Sequence, residues 1–154
     1  VIKLYRICNT EYINDISGIG ARIHGGRWNH SGYPVVYSSN SRSLAVLEFL
    51  VHVPMALAPD NLSIAEINIV ETVERESINQ KQLPSNWRGY PDTRANWQIL
   101  VQSGLNQNQH CCLLSPSAVV DKEINTLINP LHPDIERVNV AKVEKFYFDS
   151  RLFM

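Results

Sequence analysis

Arg27, Tyr37 and Glu48 stand ten and eleven residues apart and supply a cation, a ring bearing a hydroxyl and a carboxylate. An arginine fork suits phosphate oxygens. A tyrosine can stack on a planar heterocycle while its hydroxyl bonds. A carboxylate out of bulk water can hold a sugar hydroxyl or steady a positively charged, sugar-like transition state. Gly25-Gly26, just before Arg27, lets backbone approach a ligand closely. Such a set suits a nucleotide whose glycosidic bond is broken. Each residue also has a structural reading: Gly-Gly-Arg as a turn, Tyr37 as core, and an Arg and a Glu as a salt bridge.

The elements that must position these groups follow from pattern. Glu48 is the one carboxylate in Ser41–Val53, a run that is apolar on almost every side and reads as a helix, capped by Ser38–Ser41 and stopped by Pro54. A helix apolar all round is normally buried, so Glu48 either lines a cleft or lies on a narrow polar stripe with Ser41 and His52. Ile2–Cys8 alternates and reads as the first strand, with Arg6 on the face of Leu4 and Cys8, where a carboxylate partner is the usual arrangement. Residues 9–26 are polar and glycine-bearing and read as loop with one short helical turn. Strands are expected over Tyr33–Ser38, Leu62–Val70, His110–Leu114 and Val138–Phe148, and a second helix over Asp92–Val101. Ser115-Pro116-Ser117 is read as interrupting its strand, and Asn125–Pro133 as an ordered loop. The fold class is α+β, one domain over 1–154.

Composition narrows the chemistry. With 154 residues, 44% hydrophobic and a net charge of −1, the chain carries no electrostatic footprint for direct nucleic-acid binding or an anionic membrane. It has neither an eighteen-residue apolar run nor a charged start followed by an apolar core and cleavage site, so the cytoplasm is the expected compartment. Three cysteines, two of them adjacent at Cys111 and Cys112, read as reduced and structural. The five histidines lack metal-ligand spacing, so no metal is expected.

Several separated motifs fall in one order: Tyr5-Arg6-Ile7, Gly25-Gly26-Arg27-Trp28-Asn29 with Gly32, Val36-Tyr37, Leu44–Glu48, Pro116–Val120, and Asn129-Pro130 with His132-Pro133. Together they resemble the RES domain over nearly the whole chain. The resemblance implies an ADP-ribosyltransferase-like fold with a mixed or antiparallel sheet and flanking helices. It implies a toxin of a bacterial toxin-antitoxin pair that depletes NAD, its substrate, by cleaving the nicotinamide–ribose bond through hydrolysis or phosphorolysis. The catalytic residues carried over are Glu48, Arg27, Tyr37 and Ser117. Those placed at the ligand are Arg27, Tyr37, Arg6, Gly26 and Trp28. The implied partners are an antitoxin with a helix-turn-helix, Xre-like domain and a second copy of the chain. Three other readings stay open. A mono-ADP-ribosyltransferase would modify a host protein, a silent module would only dock a partner, and an RNA-cleaving toxin is disfavoured by the near-neutral charge.

Overall fold

A computed structural model describes residues 1–53, 59–89 and 108–153. The elements run β1 (Ile2–Asn9), a 3-10 turn (Thr10–Tyr12), α1 (Ile19–His24), β2 (Val36–Ser39), α2 (Arg42–Leu50), β3 (Leu62–Ile69), β4 (Arg75–Ser77), β5 (Cys112–Pro116), β6 (Ile124–Ile128) and β7 (Val138–Phe146). The strands form one seven-stranded sheet ordered β4-β5-β6-β2-β1-β3-β7. It is antiparallel throughout except where β4 runs parallel to β5. This is the α+β class expected from the sequence.

Alternation along β1 divides the core between the faces of the sheet. Leu4 packs with Val36, Ile67, Ile69 and Val138 on one side. Tyr5 and Ile7 pack with Ala45, Phe49, Leu62 and Ile64 under α2 on the other. A third cluster joins Trp28, Val35, Trp87, Leu113 and Leu127 around the loop that carries Arg27. Cys111 and Cys112 are buried among the first group, and all three cysteines are free thiols. Burial pushes the Cys8 thiol above its ordinary value.

Several expectations are corrected. Asn125–Pro133 is not all loop: Ile124–Ile128 is a central strand between β5 and β2. Asn125 and Thr126 break its apolar pattern because both are satisfied by tertiary partners, Thr126 Oγ1 donating to Asn40 Oδ1 at 2.7 Å. Ser115 and Pro116 continue β5 rather than interrupting it. β4 ends opposite Leu114, and the Ser117 amide turns toward β6 to bond Glu123 O, so the missing N–H of Pro116 lies on the side with no neighbouring strand among the described residues. β2 starts at Val36, after Tyr33-Pro34. Residues 9–26 hold a short α-helix, α1, besides the 3-10 turn; the residue before it is Gly18 (φ 71°), where a Cβ would come within 2.7 Å of Val35 N. The exposed triplet Arg75–Ser77 carries no strand pattern and is recruited by β5 alone. The helix expected over Asp92–Val101, and Pro54, lie outside the described residues.

α2 begins as expected, with Ser41 Oγ accepting from Leu44 N at 3.1 Å, but its helical span ends at Leu50. It is not buried all round. Leu44 and Ala45 are buried while Leu47 and Val51 are 41% and 57% exposed. The helix therefore lies on the sheet with one apolar side outward, and Glu48 sits at the boundary, half-buried.

Candidate active site

Loop, strand and helix close around a cavity of about 440 Å³. Arg6, Gly26, Arg27, Trp28, Tyr37 and Glu48 all line it, so six of the seven candidate residues meet in one hollow. Ser117, the seventh, stands behind the wall, 1% exposed.

The loop's shape rests on Asn29, the last residue of the Gly25–Asn29 motif, to which the sequence assigned no role. Asn29 is fully buried. Its Nδ2 donates to the carbonyls of Ala21 (2.8 Å), His30 (3.0 Å) and Tyr33 (2.9 Å), tying α1 to the turn that follows it. Its Oδ1 accepts from the Tyr37 hydroxyl at 2.6 Å, and that hydroxyl accepts from Trp28 N at 3.0 Å. Tyr37 is thus clamped by its tip, and the ring flanks the cavity. The Trp28 ring packs on Trp87 with centroids 6.1 Å apart, and Arg27 Nη1 donates to Trp87 O at 3.2 Å.

Gly26 lies against this clamp. A Cβ there would come within 2.6 Å of the Tyr37 hydroxyl and 3.0 Å of Asn29 Oδ1. Gly26→Ala is therefore expected to displace Tyr37 and to lower stability by about 1–3 kcal/mol, as overpacking does. A thermal melt unchanged within error would refute that steric reading.

Glu48 reaches the cavity wall from α2. Its Oε1 accepts from Ser117 Oγ at 2.7 Å and from Asn125 Nδ2 at 2.6 Å. Ser117 is held in turn: its Oγ accepts from Val119 N at 3.1 Å and Val120 N at 3.0 Å. Oε2 makes no hydrogen bond to any described residue, which leaves one carboxylate oxygen for a ligand. No salt bridge joins Glu48 to Arg27 among the described residues. Asn125 was invisible to motif reading; its signal was a polar pair, Asn125-Thr126, set between Ile124 and Leu127-Ile128.

Arg6 departs from the expected carboxylate pairing. Its Nη2 donates to the carbonyls of Tyr12 (3.0 Å) and Ile13 (2.7 Å), and its Nε is buried without a hydrogen-bond partner among the described residues. Asp15 is close enough to feel it. The Ser17 side chain and amide, and more weakly the Arg6 guanidinium, hold the Asp15 carboxyl below its ordinary value. Arg6 and Tyr37 also border a second hollow of about 660 Å³ on the α1 side.

Comparison with known proteins identifies the family. The RES domain matches residues 3–149. The "Prs ADP-ribosylating toxin" of Sphingobium sp. (strain YBL2) is 38% identical over 145 residues, covering 93% of this chain and 89% of that protein. "Toxin Res" of Photorhabdus laumondii is 34% identical over 151 residues, covering 97% and 96%. A chain of the M. tuberculosis MbcT-MbcA toxin-antitoxin complex superposes with a TM-score of 0.73 at 18% identity, over 94% of this chain and 83% of that one, a likeness of fold. With the family matched from the first strand to beyond the last, the chain belongs to the RES domain family.

Proposed function

We propose that this chain is the enzymatic toxin of a toxin-antitoxin pair and that it consumes NAD by breaking the nicotinamide–ribose bond. The observation that carries the reading is Glu48 on the wall of a cavity of about 440 Å³ that Arg27 and Tyr37 also line, with Oε1 bonded and Oε2 left to a ligand. Ligand sites commonly occupy about 300–1,000 Å³. The chemistry asks little of the protein. Nicotinamide leaves as a neutral molecule, the positive charge passing from pyridinium to ribose, so the leaving group needs no proton. What the reaction needs is a fixed negative charge beside the ribose, and a held carboxylate supplies it.

In this reading Arg27 binds the pyrophosphate, and Tyr37 packs on the nicotinamide ring or its ribose. Glu48 takes hydrogen bonds from ribose hydroxyls, steadies the oxocarbenium-like state and orients the acceptor. Ser117 positions Glu48. Arg6, Gly26 and Trp28 shape the rest of the ligand site. Family membership and the names of the relatives support the toxin role, and the toxin-antitoxin complex that shares the fold supports a bound antitoxin. The antitoxin is assigned a helix-turn-helix domain, and self-association as a dimer is part of the same proposal. No described helix is long and apolar enough to cross a membrane.

The test is incubation of the purified chain with NAD, with and without phosphate, resolving nicotinamide, ADP-ribose and ADP-ribose phosphate. Free ADP-ribose identifies water as acceptor, and a phosphate-dependent product identifies phosphorolysis. The name of the Sphingobium relative favours a second reading, transfer of ADP-ribose to a protein. Labelled protein in a bacterial lysate supplied with labelled NAD would support it. No nicotinamide from the folded chain in buffer, phosphate or lysate would overturn both.

A further inference from the structure

The sheet beneath α2 carries small polar residues where an apolar row would pack better. Ser115 on β5 lies opposite Asn125 on β6, and Asn125 lies opposite Ser39 on β2, so the three share one face. Ser115 and Ser39 are 0% and 4% exposed. Burying such groups lowers stability unless they are bonded, and Ser115 Oγ has no hydrogen-bond partner among the described residues. The row is better explained by what its middle member holds.

Asn125 uses both ends of its carboxamide. Oδ1 accepts from Ser39 Oγ at 2.7 Å, and Nδ2 donates to Glu48 Oε1 at 2.6 Å. The opposite rotamer would set an amide oxygen against the carboxylate, acceptor to acceptor, so the bond order Ser39–Asn125–Glu48 has one sense. Asn125 also lines the cavity, which Ser117 does not.

We propose that Asn125 is a positioning residue for the Glu48 carboxylate: with Ser117 it fixes Oε1, and so presents Oε2 to the ligand. The inference rests on the reading that Glu48 serves cleavage of NAD. It assigns Asn125 no contact with the reacting atoms. It requires a hydrogen-bond donor at the Nδ2 position, not merely a side chain of that size.

Asn125→Asp separates donor from shape. It keeps the volume and an oxygen for Ser39 but sets a second carboxyl against Glu48. Two carboxylates at that distance share one proton more readily than either would hold it alone, and give it up only as the pH rises. While the pair holds one proton, the protonated Asp reproduces the lost donor. When the pair loses it, the charges repel and Glu48 leaves its place. The other titratable or charged side chains lining the cavity are Tyr5 and Arg6 of β1, Arg27 of the loop, Tyr37 of β2 and His52 after α2. All are common to both proteins, so the wild-type profile subtracts them.

The experiment measures kcat and KM for nicotinamide release from about pH 5 to about pH 9, with folding checked by thermal melts. Asn125→Asp should lose roughly tenfold to a hundredfold in kcat at the alkaline end and recover most of it at the acid end, with KM little changed. Asn125→Ala should lose a similar factor at every pH. Ser39→Ala, which frees the carboxamide to rotate, should lose roughly threefold to tenfold in kcat. A folded Asn125→Asp that follows the wild-type profile, or one that loses activity without acid recovery, overturns the proposal. Should that variant fail to fold, an unchanged kcat in Ser39→Ala overturns it. A wild-type protein that releases no nicotinamide overturns the NAD reading itself, and is told apart by failing before any variant is compared.

Discussion

Glu48→Gln is expected to lower nicotinamide release by roughly a hundredfold or more, with NAD binding and the melting temperature nearly unchanged. The Gln carbonyl can still accept from Ser117 Oγ and Asn125 Nδ2, the two bonds that anchor Oε1 in the native chain. The fold therefore keeps its support at this position. What changes is the other arm, where a neutral NH2 replaces Oε2. A neutral group gives the developing ribose cation no charge to meet, so the loss falls on the transition state and shows as kcat rather than KM. Single-turnover release of nicotinamide together with calorimetric titration of NAD checks it. Unchanged turnover in a folded variant would sink the assignment of Glu48.

Asn29→Ala is expected to carry the largest effect on stability. It removes the donor shared by three buried or half-buried carbonyls and the acceptor for the Tyr37 hydroxyl. Unmade bonds of this kind cost about 1–3 kcal/mol for each group left unsatisfied. Some of these carbonyls regain water when the loop relaxes, so about 3 kcal/mol in total is expected, within the usual ceiling for one substitution. At this chain length that is a fall in melting temperature of roughly 6–12 °C. NAD binding should weaken as well, because Gly26, Arg27 and Tyr37 take their places from the same clamp. A melting temperature within about 2 °C of wild type would show that the loop does not depend on Asn29.

The parts of the fold legible in the sequence are those whose burial is decided along the chain itself. β1 and β7 alternate, and β3 is β-branched and apolar; α2 has a Ser cap and a carboxylate in an apolar run. β6 was not legible because Asn125 and Thr126 spoil its pattern for reasons that lie on other elements, Glu48 of α2 and Asn40 before it. β4 was not legible because Arg75–Ser77 is a strand only by virtue of its neighbour. At the candidate site, Arg27, Tyr37 and Glu48 carry chemistry in their own side chains and could be picked out by type and spacing. Asn29 and Asn125 act through what they hold, and an asparagine in isolation gives no sign of that.

The separation of Glu48 from its supports has a consequence for timing on the ribosome. Its hydrogen-bond partners Ser117 and Asn125 follow it by 69 and 77 residues. At about 5–20 residues per second, α2 is made roughly four to fifteen seconds before Asn125. β6, which must insert between β5 and β2, cannot pair earlier than that. A chain that stops short of Ser117 therefore bears the carboxylate without either partner that holds it. On the proposed function, such a chain has the acidic side chain of the site but not the bonds that would orient it toward NAD.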